Sequence, residues 1–147
     1  MASKRPMELL DFRFLVEIDG IAVGGFSEVS GLEQKIETEE YREGGSHFVH
    51  QLPKAVVQST LSLKKGLSDA DALWKWFDGC RSAVLYKQPL ERKNISVIVF
   101  DESRTEQARF LFAGAYPVKW TGPTLTGTGS AVAIEQLEIA HEGMQKV

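Results

Sequence analysis

Apolar and polar residues alternate with a period of two through most of this 147-residue chain. That pattern commits the fold to strands that bury one face and wet the other. In the run Phe12 to Ile18, Phe14, Val16 and Ile18 share one side while Arg13 and Glu17 take the other. Asp19-Gly20 follows, and an Asp-Gly pair between two β-rich runs marks a hairpin because glycine accepts positive φ at little cost. The return strand is expected over Ile21 to Phe26. Further strands are expected over Ile36 to Tyr41, Gln58 to Lys64, Ile95 to Phe100, Ala108 to Tyr116 and Ala131 to Ala140.

One segment breaks the pattern. Leu73, Trp76, Phe77 and Cys80 fall at i, i+3, i+4 and i+7, a single apolar stripe on a helix, and these four form its expected core face. Ser68 is placed to cap that helix, Asp69 and Asp71 to complement its dipole, and Gly79 to end it. One amphipathic helix must lie against a sheet. The fold class expected from pattern alone is therefore mainly β, two antiparallel sheets or a small barrel with one flanking helix.

Two segments have no sustained period. Residues 41–53 read as a hydrophilic loop, with Arg42-Glu-Gly-Gly-Ser-His-Phe-Val-His50 at its centre, longer than most connections in a compact domain. Residues 121–130 are rich in Gly and Thr around Pro123 and read as a flexible link between strands. No repeat or second domain is visible, so residues 1–147 are read as one domain with a flexible arm at 1–10.

The sequence carries no recognisable catalytic constellation. Ser27, in Gly25-Phe-Ser-Glu-Val29, lacks the second glycine of a nucleophile elbow. Thr126-Gly-Thr-Gly-Ser130 lacks the lysine of a phosphate-binding loop and leads into a β-pattern. His47 and His50 have no carboxylate or thiol at a metal-binding spacing, and loop histidines of this kind are more often solvated or interfacial. The acids of Glu37-Thr-Glu-Glu40 and Asp101-Glu102 read as solvated faces rather than a glycosidase pair. Trp74, Trp76 and Trp120 suggest a sugar platform, but Trp76 belongs to the helix stripe. The lone Cys80 excludes an internal disulfide and reads as a buried thiol in a protein folded in a reducing compartment. No cofactor or metal is expected. With 17 basic against 20 acidic residues and a formal charge of −3, the chain carries no footprint for nucleic acid, and no run of residues fits a signal peptide or a spanning helix. Abundant strand edge remains, and edges are either blunted or paired with other copies. Self-assembly is thus one reading, and a monomeric ligand-binding β-barrel the other.

The order of motifs adds a resemblance. Phe12-Arg-Phe-Leu-Val-Glu-Ile-Asp-Gly20, Gly25-Phe-Ser-Glu-Val-Ser-Gly-Leu32, Ile36-Glu-Thr-Glu-Glu-Tyr-Arg-Glu-Gly-Gly45, Leu61-Ser-Leu-Lys-Lys-Gly66, Leu73-Trp-Lys-Trp76, Tyr116-Pro-Val-Lys-Trp120 and Val132 to Gly143 occur in sequence. Together they resemble the inner-tube protein of contractile phage tails and of related extracellular injection particles. The resemblance implies a β-sandwich or split-barrel subunit with one helix, no catalytic residues, and hexameric rings stacked inside a contractile sheath. It implies as partners other copies of the chain, the sheath, the baseplate or hub, a tube terminator, and cargo in the lumen. The particle would be assembled from protein made in the cytoplasm and carried in a phage tail or released, with no membrane anchor in this chain. An adaptor paralogue joining tube to baseplate would share the same features. If each subunit gives four strands to a common wall, about 24 strands spaced ~4.8 Å and tilted ~40° enclose a backbone diameter of roughly 48 Å. The resemblance places the 41–53 loop at the contact between rings, with Tyr41, Arg42, Glu43, Gly44, Gly45, Ser46, His47 and His50 as its contact residues. The acidic balance suggests a lumen with a negative field.

Overall fold

The computed structural model describes residues 13–45, 47–67, 71–129 and 133–147. The element order is β1 (Arg13–Ile18), β2 (Ile21–Val23), β3 (Phe26–Ser30), β4 (Gln34–Arg42), β5 (Val49–Gln58), β6 (Leu61–Gly66), α1 (Ala72–Leu85), β7 (Lys93–Phe100), β8 (Glu106–Thr121), β9 (Ile134–Ala140) and β10 (Gly143–Lys146). Among the described residues the fold is mainly β with one helix, the class expected from the pattern.

Eight strands form one hydrogen-bonded path, β2-β1-β7-β8-β9-β6-β3, with β10 attached to β8. Among the described residues the path has two ends and does not close into a barrel. It folds instead into two layers that share β8. Residues 106–115 of β8 pair with β7, and 110–113 also with β10, whereas residues 116–121 pair with β9. Gly114, at φ 59°, sits where β8 passes between layers, a conformation that favours glycine. The first layer is β2-β1-β7-β8-β10 and the second β8-β9-β6-β3.

The core lies between them. Val16, Ile95, Val97 and Phe112 from the first layer meet Leu61, Leu63, Leu137 and Ile139 from the second, with Leu73 of α1 and Ala115 completing the cluster. Phe14 and Ile18 pack against it, as the alternation in β1 requires. In β9 the pattern is strict: Glu135, Leu137 and Ile139 are buried and the residues between them are not. The buried carboxylate of Glu135 accepts a hydrogen bond from Trp120 Nε1 at 3.0 Å, and the Trp120 ring meets Trp74 of α1 edge-on at 4.9 Å.

Several expected boundaries are corrected. The return strand ends at Val23 rather than Phe26. Gly24-Gly25 breaks it, Gly25 taking φ 85°, and Phe26 opens β3, which pairs with β6 in the other layer. The fourth expected strand begins at Leu61 rather than Gln58, which ends β5. The helix runs through Gly79, one glycine costing it only about 1 kcal/mol, and stops at Leu85. There Lys87 takes the left-handed conformation, and the N–H groups of Lys87 and Gln88 close back on Val84 and Ala83. A Schellman turn built on lysine carries no glycine signal. At the other end Asp71 occupies the cap position at φ 54° with no side-chain capping bond, while Ser68 and Asp69 lie outside the described residues, as do the arm at 1–10 and Ala131 and Val132. Leu73 and Cys80 are buried, and Trp76 and Phe77 pack against the core.

A candidate assembly ribbon

The largest departure from expectation is at residues 41–53. They are not an aperiodic loop but the outer part of a long hairpin, β4 with β5, which forms a sheet of its own. Ladder pairs run from Gln34 opposite Gln58 to Arg42 opposite Val49. Three features built it. Gly44-Gly45, with Gly45 at φ 84°, makes the tip. Apolar and aromatic residues face each other across the strands, Ile36 with Val56 and Tyr41 with His50. Pro53 is admitted because a register shift between Glu37 and Thr38 leaves Lys54 outside the ladder, and bulges tolerate a residue with no N–H.

The ribbon is anchored at its base and exposed along its length. Gln34 Nε2 donates to Gln58 Oε1 at 3.1 Å and to the carbonyl of Met144 at 2.9 Å. Ser59 donates to Glu33 at 2.6 Å, and His141 Nε2 lies 2.8 Å from the Ser59 carbonyl. Every residue from Gln34 to Val57 in the two strands is exposed. Ile36 is 62% and Val56 60% accessible, and Leu52, Val57 and Tyr41 are exposed as well. A two-stranded hairpin is marginal in water on its own, and this one offers apolar side chains on both faces. Among the described residues its apolar side chains have no cover from the rest of the chain.

The expected contact residues are distributed over this ribbon. Tyr41 and Arg42 end β4, and Glu43, Gly44, Gly45 and His47 belong to the tip. His50 lies in β5 opposite Tyr41, ring centroids 6.3 Å apart. Ser46 lies outside the described residues. His47 and His50 build no metal centre, since no group of three or more His, Cys, Asp or Glu gathers among the described residues. Sequence reasoning missed Ile36, Leu52, Val56 and Val57 as surface apolar groups. Burial pushes the Cys80 thiol above its ordinary pKa, Glu91 adding to the rise and Lys93 opposing it, which favours the thiol over the thiolate. Among the described residues no helix is long and apolar enough to cross a membrane.

Comparison with known proteins agrees with this architecture. The chain superposes on the tube-terminating cap of the anti-feeding prophage with a TM-score of 0.82, 22% identity, and coverage of 100% of this chain and 94% of the other. It superposes on a chain of the sheath-tube complex of an extracellular contractile injection system, PVC, in its extended state with a TM-score of 0.78, 22% identity, and coverage of 92% and 88%. Hcp1 from Flavobacterium johnsoniae shares the fold at a TM-score of 0.64 and 16% identity, covering 90% of this chain and 93% of its own. No curated protein matches the chain in sequence closely enough to count as a relative. The model of the T4-like virus tail tube protein gp19 family matches residues 10–145. The chain belongs to that tail tube family.

Proposed function

We propose that this chain is the repeating subunit of the inner tube of a contractile injection apparatus. Copies join into hexameric rings, rings stack within a sheath, and the bore conducts cargo. The observation that carries the reading is the β4–β5 ribbon, a long, exposed, apolar-studded hairpin on a chain of the tail tube family. In a stacked tube the tip, from Tyr41 through His50, reaches the next ring, and that contact is heterologous and open-ended, so stacking continues until a terminator stops it. As a member of a structural tube family the protein is not an enzyme. It works by geometry within a phage tail or a released particle, with sheath, baseplate and terminator proteins as partners.

Electron microscopy of the concentrated purified chain tests this: rings or tubes with a central hole are expected. Strictly monomeric protein, even with its baseplate partner supplied, refutes it. Replacing residues 42–45 by a short turn is expected to leave rings and abolish tubes. The likeness to a tube-terminating cap supports a second reading, a terminator or baseplate adaptor. Long tubes from the chain alone favour the first reading, and single rings that bind a preformed tube end favour the second.

A further inference from the structure

The ribbon stands off the rest of the subunit. Among the described residues β4 and β5 form a ladder with each other and with no strand of the two layers. The nine residues of β4, Gln34–Arg42, reach about 26 Å from end to end at ~3.3 Å per step. A rod of that length turns a small tilt at its foot into a large error at its tip, about 2 Å for a tilt of about 5°. A gap of about 0.5–1 Å already forfeits roughly a quarter to a half of a van der Waals contact, so a tip that docks has to be aimed more closely than that.

Two side chains aim it, and both tie it to one place in the body, where β9 turns into β10. His141 stands in that turn. Its Nε2 lies 2.8 Å from the Ser59 carbonyl, which can only accept, so Nε2 carries the hydrogen. Nδ1 is buried and has no hydrogen-bond partner, so the bond to Ser59 is the imidazole's one hydrogen bond among the described residues. Packing holds the ring in place: it meets Phe112 edge-on at 4.8 Å, and Phe112 is a fully buried core residue. Gln34 is the second tie. Its Nε2 donates across the foot of the ribbon to Gln58 Oε1 and also to the Met144 carbonyl of β10, two bonds that an amide NH2 can make at once. Gln34 opens β4 and Ser59 follows β5, so each strand of the ribbon has its own attachment, and two attachments fix an angle about which one would pivot. The turn that receives them is itself firmly placed. Glu142 N–H donates to the Ala113 carbonyl at 2.8 Å, Arg92 Nη1 lies 3.3 Å from Glu142 Oε1, and the Glu142 side chain sits 2.6 Å from where a Cβ on Gly114 would stand. Gly114 is the point at which β8 passes between the layers, so the ribbon is referenced to both layers together.

We propose that His141 and Gln34 are positioning residues: by fixing the angle of the ribbon to the subunit body, they set the rotation of one ring on the next. This role rests on the tube reading above and deepens it. Neither residue has to touch the neighbouring ring, since each acts through the ribbon. The rotation between rings is then a property built into the subunit at the ribbon's foot, before any contact forms at its tip.

Three substitutions in the full chain separate positioning from mere support. His141→Leu keeps a side chain against Phe112 and loses the donor, Gln34→Met keeps the length and loses both bonds, and His141→Gln restores a donor the same number of bonds from the backbone. In dilute, unassembled protein, spin labels at Gln51→Cys in β5 and Lys75→Cys on α1 report the angle of the ribbon by pulsed electron resonance, with native Cys80, 5% exposed, as the unreactive background. A single narrow distance is expected for the otherwise unaltered chain and for His141→Gln, and a distribution wider by about 2 Å or more when His141→Leu and Gln34→Met are combined. A ribbon placed as narrowly without the two donors, or spread as broadly with them, overturns the proposal. In cryo-electron microscopy of assemblies, the combined variant is expected to form rings whose rotation on one another is changed or no longer uniform. Tubes of unchanged, uniform rotation overturn the proposal even where the unfolding midpoint has fallen, because a merely supporting role moves the midpoint alone. If His141→Leu does not fold, Gln34→Met by itself, at an exposed position, carries both measurements. A wild-type chain that forms neither rings nor tubes removes the tube reading, and the setting of rotation with it, whatever the labels show.

Discussion

If the ribbon is completed by another copy, its apolar side chains contribute to assembly and not to the stability of the subunit. The pair Ile36 and Val56 tests this separation. They face each other across β4 and β5, and 62% and 60% of their surface is open. Fully burying such a side chain stabilises by roughly 1.5–3 kcal/mol, so the surface still open leaves about 1–2 kcal/mol each to be gained on contact. The double substitution Ile36→Thr, Val56→Thr keeps β-branching at both positions, and with it the strand preference. It removes most of that gain, about 2–3 kcal/mol per subunit, which corresponds to a roughly 30- to 150-fold weaker association constant. Sedimentation velocity across a dilution series reads the concentration at which rings or tubes appear, and thermal unfolding of dilute, unassembled protein reads subunit stability. The expected result is a large rise in the assembly threshold with the unfolding midpoint little changed. An unchanged threshold would refute the reasoning. So would a midpoint lowered in proportion, because the pair would then be packing within its own subunit.

Three further outcomes probe the scaffold. Val97→Pro removes a ladder donor from β7, where Val97 is buried between Val16 and Phe110; a loss of about 3 kcal/mol or more and the disappearance of soluble assemblies are expected, and normal rings would show the strand to be misassigned. Gly31 adopts φ 90°, and a Cβ there would collide with the Thr60 carbonyl at the foot of the ribbon. Gly31→Ala is thus expected to lower the unfolding midpoint by several degrees in calorimetry. Glu135→Ala strands the Trp120 indole N–H inside the protein and is expected to cost about 1–3 kcal/mol in urea titration, with a change in tryptophan fluorescence because Trp74 rests on the same ring.

What was readable in the sequence follows the local forces. β1, β7 and β9 have one face on the core and one in water, so period two is written into them, and β9 keeps it without exception. The stripe Leu73, Trp76, Phe77 and Cys80 was equally plain, because a helix on a sheet buries one side. Boundaries were lost where the stop signal was not glycine, as at Lys87, or where a glycine did not stop anything, as at Gly79. Glu135 could not be foreseen inside: its burial depends on Trp120, fifteen residues away, donating to it across the layer.

The ribbon was missed for a different reason. Alternation appears when one face of a strand is dry and the other wet within a single chain. β5 has neither condition alone: Val49, Leu52, Val56 and Val57 point to both sides, interrupted by Pro53 and the extra Lys54. A monomer gains nothing from that arrangement, since both faces stay wet. It becomes favourable when surfaces outside the chain dry both sides, so the loss of period there has the same physical cause as the exposure measured in the fold. Core strands carry the pattern of the subunit they build. On the proposed tube reading this strand carries the pattern of a neighbour, so its register, from Gln34–Gln58 to Arg42–Val49, is set by the ladder and is not legible in its hydropathy.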